Sequence, residues 1–166
     1  MLLSSPYVWK GGRLAISLSE DLVNIYLRAY CESLQSLDCS IRFVGIADYG
    51  GKLVSSFYRA GLVPLMDPKE TGEYALQAVF RARSSRGFKP QLGESRYSVE
   101  VYEKLIRSTL TVASEEAEHH SMYVLVSLDI GSNHANVIDN VIIPYVSTTK
   151  KVLFVHTRAI SEKYWD

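Results

Sequence analysis

The segment Gly45-Ile-Ala-Asp-Tyr-Gly-Gly-Lys-Leu-Val-Ser-Ser56 decides how the rest of the chain is interpreted. It lies at the centre of a predicted β-hairpin, with one strand over residues 41–48 and the returning strand over residues 52–59. The paired glycines suit the turn, because glycine adopts positive φ without steric cost. A phosphate-binding loop does not fit, since Leu53 stands where that loop needs a hydroxyl and the segment leads into a strand.

A helix is predicted on each side of this hairpin. Residues 17–37 carry apolar side chains at three- and four-residue steps, with Ser17 or Ser19 as the N-cap. A second helix opens with the Asp-Pro pair at 67–68, and Glu70 completes its cap. The apolar positions of this second helix, most of them small, are Tyr74, Ala75, Ala78, Val79 and Ala82. Another element can therefore approach the second helix closely.

The second half of the chain is predicted to supply three more strands. Two are rich in β-branched and aromatic residues, over 97–102 and 105–113, and join near residues 103–104. Glu-Lys is a poor hairpin turn, so one long bent strand is the alternative. The most apolar strand, 122–130, is expected at the centre of the sheet. Residues 87–93 are expected to form a loop.

The C-terminal part is predicted to begin with a helix capped by Asn133. Its buried side would carry Val137, Ile138, Val141, Ile142 and Tyr145. Pro144 is expected to kink or end this helix, because proline lacks the backbone N–H. Residues 151–157 have the composition of an edge strand.

These elements together predict an α/β (α+β) fold of order α-β-β-α-β-β-β-α. A five-stranded antiparallel sheet flanked by helices satisfies that order. We expect one domain over residues 1–166, with a core at about 17–146 and a C-terminal extension at 147–166.

Composition narrows the function classes. The 18 basic and 18 acidic side chains balance, whereas nucleic-acid binders usually carry a basic excess. Cys31 and Cys39 do not have a metal-ligand spacing and are expected to be reduced thiols, although a bridge between them stays open. The N-terminus does not resemble a signal peptide, and no apolar run approaches a membrane span. The expected location is the cytoplasm.

Candidate catalytic or metal-binding sets are weak. His119-His120 with Glu115, Glu116 and Glu118 could hold a metal ion, but adjacent side chains seldom point at one ion, so a polar loop over residues 114–120 is favoured. No nucleophile elbow, catalytic triad or Cys–His pair stands out. We therefore expect a protein that is not an enzyme and has no cofactor.

Arginines in the middle of the chain are candidates for anion binding, because the planar guanidinium matches carboxylate and phosphate. Arg59, Arg81 and Arg107 are the residues chosen for this role. The alternative is a set of exposed ion pairs, which contribute little beyond solvation. The acidic partners would then be Glu70, Glu73, Glu94, Glu100 and Glu103.

The element order, together with the hairpin at 45–56, resembles the roadblock/longin and profilin-like group of small domains. The resemblance covers about residues 17–146. It implies a regulatory module that dimerises through the middle helix and the neighbouring strand and that regulates or scaffolds small GTPases. The residues it places at the interface are Tyr74, Ala75, Ala78, Val79, Ala82, Tyr97 and Val99.

Short segments such as Tyr58-Arg-Ala-Gly-Leu62 and Tyr74-Ala-Leu-Gln-Ala-Val79 are also similar to uncharacterised archaeal proteins. The leading hypothesis is a non-enzymatic, homodimeric interaction module. The alternative is a PAS-like sensor of a small anion, in which Arg59, Arg81 or Arg107 would hold the ligand between sheet and helix.

Overall fold

A five-stranded antiparallel sheet organises the computed structural model, which describes residues 7–10, 13–16, 20–114 and 118–161. The strands are β1 (Tyr7–Lys10), β2 (Arg13–Ile16), β3 (Ile41–Ala47), β4 (Leu53–Tyr58), β5 (Tyr97–Val101), β6 (Leu105–Val112) and β7 (Met122–Asp129). The helices are α1 (Glu20–Gln35), α2 (Pro68–Ser85), α3 (Lys89–Leu92), α4 (His134–Val137) and α5 (Ile143–Ser161).

The strand order in the main sheet is β4-β3-β7-β6-β5, and every pair is antiparallel. This confirms the predicted fold class and the central place of the most apolar strand. Residues 103–104 form a tight turn between β5 and β6, closed by the Tyr102 N–H donating to the Leu105 carbonyl at 2.9 Å. The hairpin is therefore confirmed over the single bent strand. β1 and β2 pair antiparallel in a separate two-stranded sheet that the sequence did not predict.

Helices cover both faces of the sheet, because side chains on each strand alternate between the faces. On one face α1 and α5 pack over the larger core, which includes Val23, Leu34, Val124 and Ile142. On the other face α2 packs over a smaller core around Phe43, Ala47, Tyr123 and Leu125. The sheet is thus the middle of three layers.

Local sequence signals determine the start of α2 and the turn between β3 and β4. The Asp67 side chain accepts a hydrogen bond from the Glu70 N–H, and the Glu70 carboxylate accepts one from the Asp67 N–H, so α2 starts with the expected capping box. In the β3–β4 turn Gly51 has φ +85°, which only glycine adopts readily.

The prediction of an edge strand over residues 151–157 is wrong, because those residues belong to α5. Leu153 is fully buried in the larger core, and packing of this side chain overrides the β-propensity of the segment. The main core therefore reaches beyond residue 146, into the predicted extension.

Pro144 does not end the last helix. A π turn at Ile138–Ile142 comes directly before α5, and Pro144 is the second residue of α5. The π turn is closed by the Ile143 N–H donating to the Ile138 carbonyl, five residues back. Because the local hydrogen-bond pattern is already shifted there, the missing N–H of proline falls where the helix can accommodate it.

The expected loop at 87–93 contains a 3₁₀ turn, Arg86–Phe88, followed by the short helix α3, so that prediction is wrong in part. The candidate caps Ser17 and Ser19 lie outside the described residues. Within the described part of the chain, no helix has the length and apolar character to cross a membrane.

Candidate interaction surface

The alanine-rich face of α2 is directed inward. Ala75, Ala78 and Val79 are almost completely buried and pack against Phe43, Tyr123 and Leu125 of the chain's own sheet. Placing these three side chains at a partner interface was therefore incorrect. The small residues do permit close approach, as expected, but the element that approaches is the sheet beneath them. Ala82 is half-buried against the same cluster.

A polar cluster joins α2 to the edge strand β5. Glu100 of β5 accepts hydrogen bonds from the hydroxyls of Tyr74 (3.0 Å) and Tyr102 (2.9 Å), and it forms an ion pair with Arg81 at 2.9 Å. Burial and the neighbouring Glu100 carboxylate raise the pKa of Tyr74 to about 12. Tyr74 thus stays a hydrogen-bond donor at physiological pH.

Tyr97 and Val99 lie on the opposite side of β5 from this cluster. Both pack against the larger core, under the layer formed by α1 and α5. The Tyr97 hydroxyl donates to the Asp139 carboxylate at 3.2 Å, which links β5 to the π turn. Tyr74 and Tyr97 therefore belong to different faces, although both were predicted at one interface.

β5 lies at one end of the main sheet and pairs only with β6. One side of its backbone therefore has no strand partner among the described residues. An open edge is a template for adding another strand. Beside it, Gln77 is exposed on the same helical stripe as Tyr74 and Arg81, because residues three and four apart share a face of a helix.

The outward side of α2 carries two exposed apolar residues, Leu76 (42% exposed) and Phe80 (54%). The Arg83 guanidinium lies 3.9 Å from the centre of the Tyr49 ring and 5.7 Å from the Phe80 ring. It also donates to the Tyr49 carbonyl and hydroxyl. The β3–β4 turn and α2 therefore share one surface.

The three arginines chosen for anion binding do not form one site. Arg59 binds both carboxylate oxygens of Asp129, at 2.6 and 3.2 Å, and Arg81 binds Glu100. The ion pair of Arg81 with Glu100 is one that the alternative predicted, whereas Asp129, the partner of Arg59, was not among its acidic residues. Arg107 differs, because its guanidinium lies 3.6 Å from the Tyr74 ring centre and donates to the Met66 sulfur.

Two concave regions are present among the described residues. A cavity of about 30 Å³ lies between the sheet and the loop before α2, with Arg107 among its lining residues. A shallow polar cleft of about 290 Å³ lies near the end of α2, where Arg86 pairs with Glu118 and Lys89 with Glu94. Neither was visible from the sequence, since both assemble residues far apart in the chain.

The polar segment chosen as a weak metal candidate is described only in part. Glu118–His120 forms a 3₁₀ turn in which the two imidazole rings lie 4.3 Å apart, while Glu115 and Glu116 fall outside the described residues. No group of three or more metal-ligating side chains occurs in the described ranges.

Comparison with solved structures decides the fold family. The gliding protein MglB from Thermus thermophilus matches with a TM-score of 0.56 and 13% identity, over 84% of this chain and 92% of that chain. A roadblock/LC7 domain from Streptomyces avermitilis matches with a TM-score of 0.57 and 13% identity, over 76% and 96%. The chain has the roadblock fold. The resemblance to that group is thereby confirmed at the level of fold.

A third roadblock-fold structure, described as MglB with tetrameric arrangement, matches with a TM-score of 0.55 and 16% identity, over 82% of this chain and 90% of that one. No family profile matches the chain, and no curated protein sequence matches it. Measured against the roadblock structures, the similarity lies in the arrangement of elements rather than in shared residues.

Proposed function

We propose that this chain is a non-enzymatic regulatory module of the roadblock type that acts by binding proteins and forms a homodimer. The observation that carries the proposal is the open edge of β5 beside the exposed stripe of α2 that contains Gln77 and Arg81. Two copies related by a two-fold axis could pair their β5 strands and set their α2 helices side by side. The interface residues are thus revised from the alanine face to the stripe facing β5.

Association of roadblock-fold structures supports this proposal, since one of the similar structures is described as MglB with tetrameric arrangement. The resemblance also implies a small GTPase as a further partner. The exposed apolar pair Leu76 and Phe80 offers a surface on α2 that the β5 edge would leave uncovered. We therefore assign dimer formation to the β5 side of α2 and partner binding to its outward side.

The oligomeric state tests the dimer. Sedimentation equilibrium over a hundred-fold range of concentration should return twice the chain mass for the wild type. Ser98 is exposed on β5, and Ser98→Lys should shift the mass toward the monomer, because lysine on an edge strand opposes strand pairing. Ser33→Lys makes the same chemical change on an exposed position of α1 and should leave the mass unchanged.

A wild-type protein that is monomeric at the highest concentration would refute the homodimer. A dimer that Ser98→Lys leaves intact would refute the β5 edge as its site. Circular dichroism of both variants checks that the fold is retained.

A further inference from the structure

Arg107 holds a half-buried positive charge with no carboxylate in direct contact among the described residues, although Glu100 lies opposite it across β5 and β6. Its guanidinium contacts the Tyr74 ring at 3.6 Å and the Met66 sulfur at 2.8 Å. Within the described ranges no carboxylate lies within 4 Å of it, and Glu100, which binds Tyr74, forms its ion pair with Arg81.

The hydrogen-bonding partners that the described residues offer this guanidinium are Tyr74 and the Met66 sulfur. Arginine has five N–H donors, and a thioether sulfur is only a weak acceptor. The contact with the aromatic face stabilises the cation through the negative face of the ring. A cation removed from water without a hydrogen-bonded anion is otherwise unfavourable. Several of the five N–H donors of Arg107 are therefore available for a further acceptor.

The adjoining cavity has room for a small acceptor. Its volume is about 30 Å³, and Arg42, Arg107 and Ser127 are among its polar lining residues. Since one water needs about 10–15 Å³ of cavity volume, the space suits about two waters or a single carboxylate group. It does not suit a ring or a nucleotide, which argues against the sensor alternative in this closed form.

Charge around the cavity favours an anion. Arg42 and Arg59 share one carboxylate, Asp129, with N···O distances of 2.7 and 2.6 Å. The charged side chains that line the cavity are Arg42 and Arg107, while Glu100, opposite Arg107 across β5 and β6, forms its ion pair with Arg81. Electrostatic complementarity therefore selects an acidic partner group.

The rim of the cavity is apolar and exposed. Leu65 lines the cavity and is 54% exposed, and Val63, two residues earlier, is 81% exposed. An arginine inside an apolar rim is the usual composition of an energetically important point in a protein interface. A free anion would leave this rim uncovered.

We propose that Arg107 and the adjoining cavity are a binding site for one carboxylate side chain of a protein partner. An apolar residue next to that carboxylate in the partner would cover Leu65. This inference rests on the proposed function that the chain binds proteins. The partner residue would be an aspartate or glutamate flanked by leucine-like side chains.

The carboxylate chemistry is tested with a small probe on the full chain. Titration with sodium acetate, at constant ionic strength maintained with sodium chloride, should shift the backbone amide signals of Tyr74, Arg107 and Ser127. Arg107→Met should abolish the shifts. It should also leave the melting temperature in acetate-free buffer unchanged or higher, because it removes an unpaired charge. Arg96→Met, at a 69% exposed side chain, is the control that keeps the response.

Terminally blocked peptides test whether the bound carboxylate belongs to a protein partner. A Leu-Glu-Leu peptide should bind at least ten-fold more tightly than acetate and than the matched Leu-Gln-Leu peptide. Equal affinity of acetate and the glutamate peptide would overturn a protein partner as the source. Tighter binding of inorganic phosphate than of acetate, or an acetate response that survives Arg107→Met, would overturn the carboxylate-binding site. The Ser98→Lys variant separates the two proposals, since loss of the dimer with peptide binding retained removes only the homodimer.

Discussion

Gly51 in the β3–β4 turn lies directly against Leu76 in α2: a Cβ atom on Gly51 would sit 2.9 Å from the Leu76 Cα. The turn that identified the hairpin therefore also fixes the position of the helix carrying the proposed interaction surfaces. Both the positive φ and the contact with backbone require glycine at this position.

Gly51→Ala should destabilise the protein by about 2–3 kcal/mol, because it adds left-handed strain to a clash with helix backbone. Gly61→Ala is the matched control. Gly61 also has positive φ (+75°), but nothing lies within 4 Å of its Cβ position, so a loss of only about 1–2 kcal/mol is expected. Urea denaturation measures both. Equal losses for the two variants would show that the contact with Leu76 is unimportant.

Asp129 should make stability depend on pH in the acid range. Hydrogen bonds from Arg59 and Arg42 lower the pKa of this carboxyl below its usual value. A depressed folded-state pKa adds stability that is present above the unfolded value of about 3.9 and is lost as pH falls through the folded value. The wild type should therefore exceed Asp129→Asn in free energy of unfolding, by about 1 kcal/mol near pH 7.

That difference should shrink steadily as pH falls below about 4, because the unfolded wild type takes up a proton on Asp129 before the folded protein does. Denaturation at several pH values from 3 to 7 measures it, and other titrating groups largely cancel between the two proteins. A difference that stays constant down to pH 3 would contradict the assignment, provided the fold persists there.

The two cysteines should differ sharply in reactivity. Cys31 is buried in the larger core, and burial raises the pKa of its thiol to about 12, whereas Cys39 is exposed. Since the thiolate is the reactive form, a disulfide reagent at pH 8 should modify one thiol in the native protein and two after denaturation. Cys39→Ser should reduce the native count to zero. Rapid modification of both thiols in the native state would contradict the burial of Cys31.

Leu153 should contribute to the core although it lies in the segment first interpreted as an extension. Leu153→Ala is expected to cost about 2–5 kcal/mol, as for other fully buried leucines. Lys151→Ala, exposed on the same helix, should change stability by less than about 0.5 kcal/mol. Thermal or urea denaturation compares the two. Similar small effects would show that the end of α5 does not pack as described.

The parts of the fold that the sequence predicted correctly are those specified by local chemistry. The paired glycines at 50–51 and the capping box at Asp67 each act within a few residues, so the pattern alone reveals them. The prediction of a strand at 151–157 was wrong because packing of Leu153 overrides local propensity.

The candidate site was harder to predict for a related reason. A run of small residues on α2 shows that something approaches closely, but not whether it is the same chain or another. Likewise, arginines in the sequence do not reveal which have carboxylate partners. Arg59 and Asp129 are 70 residues apart, and only the folded chain shows that Arg59 is paired while Arg107 is not.

The π turn at Ile138–Ile142 has a consequence for recognising distant relatives. One extra residue in that turn rotates everything after it by about 100° relative to a regular helix. Val146 and Leu153 are buried with that rotation in place. A relative with an uninterrupted helix would carry its apolar stripe one position earlier, so an alignment that permits no gap here would pair the buried positions of one chain with neighbouring, differently oriented positions of the other.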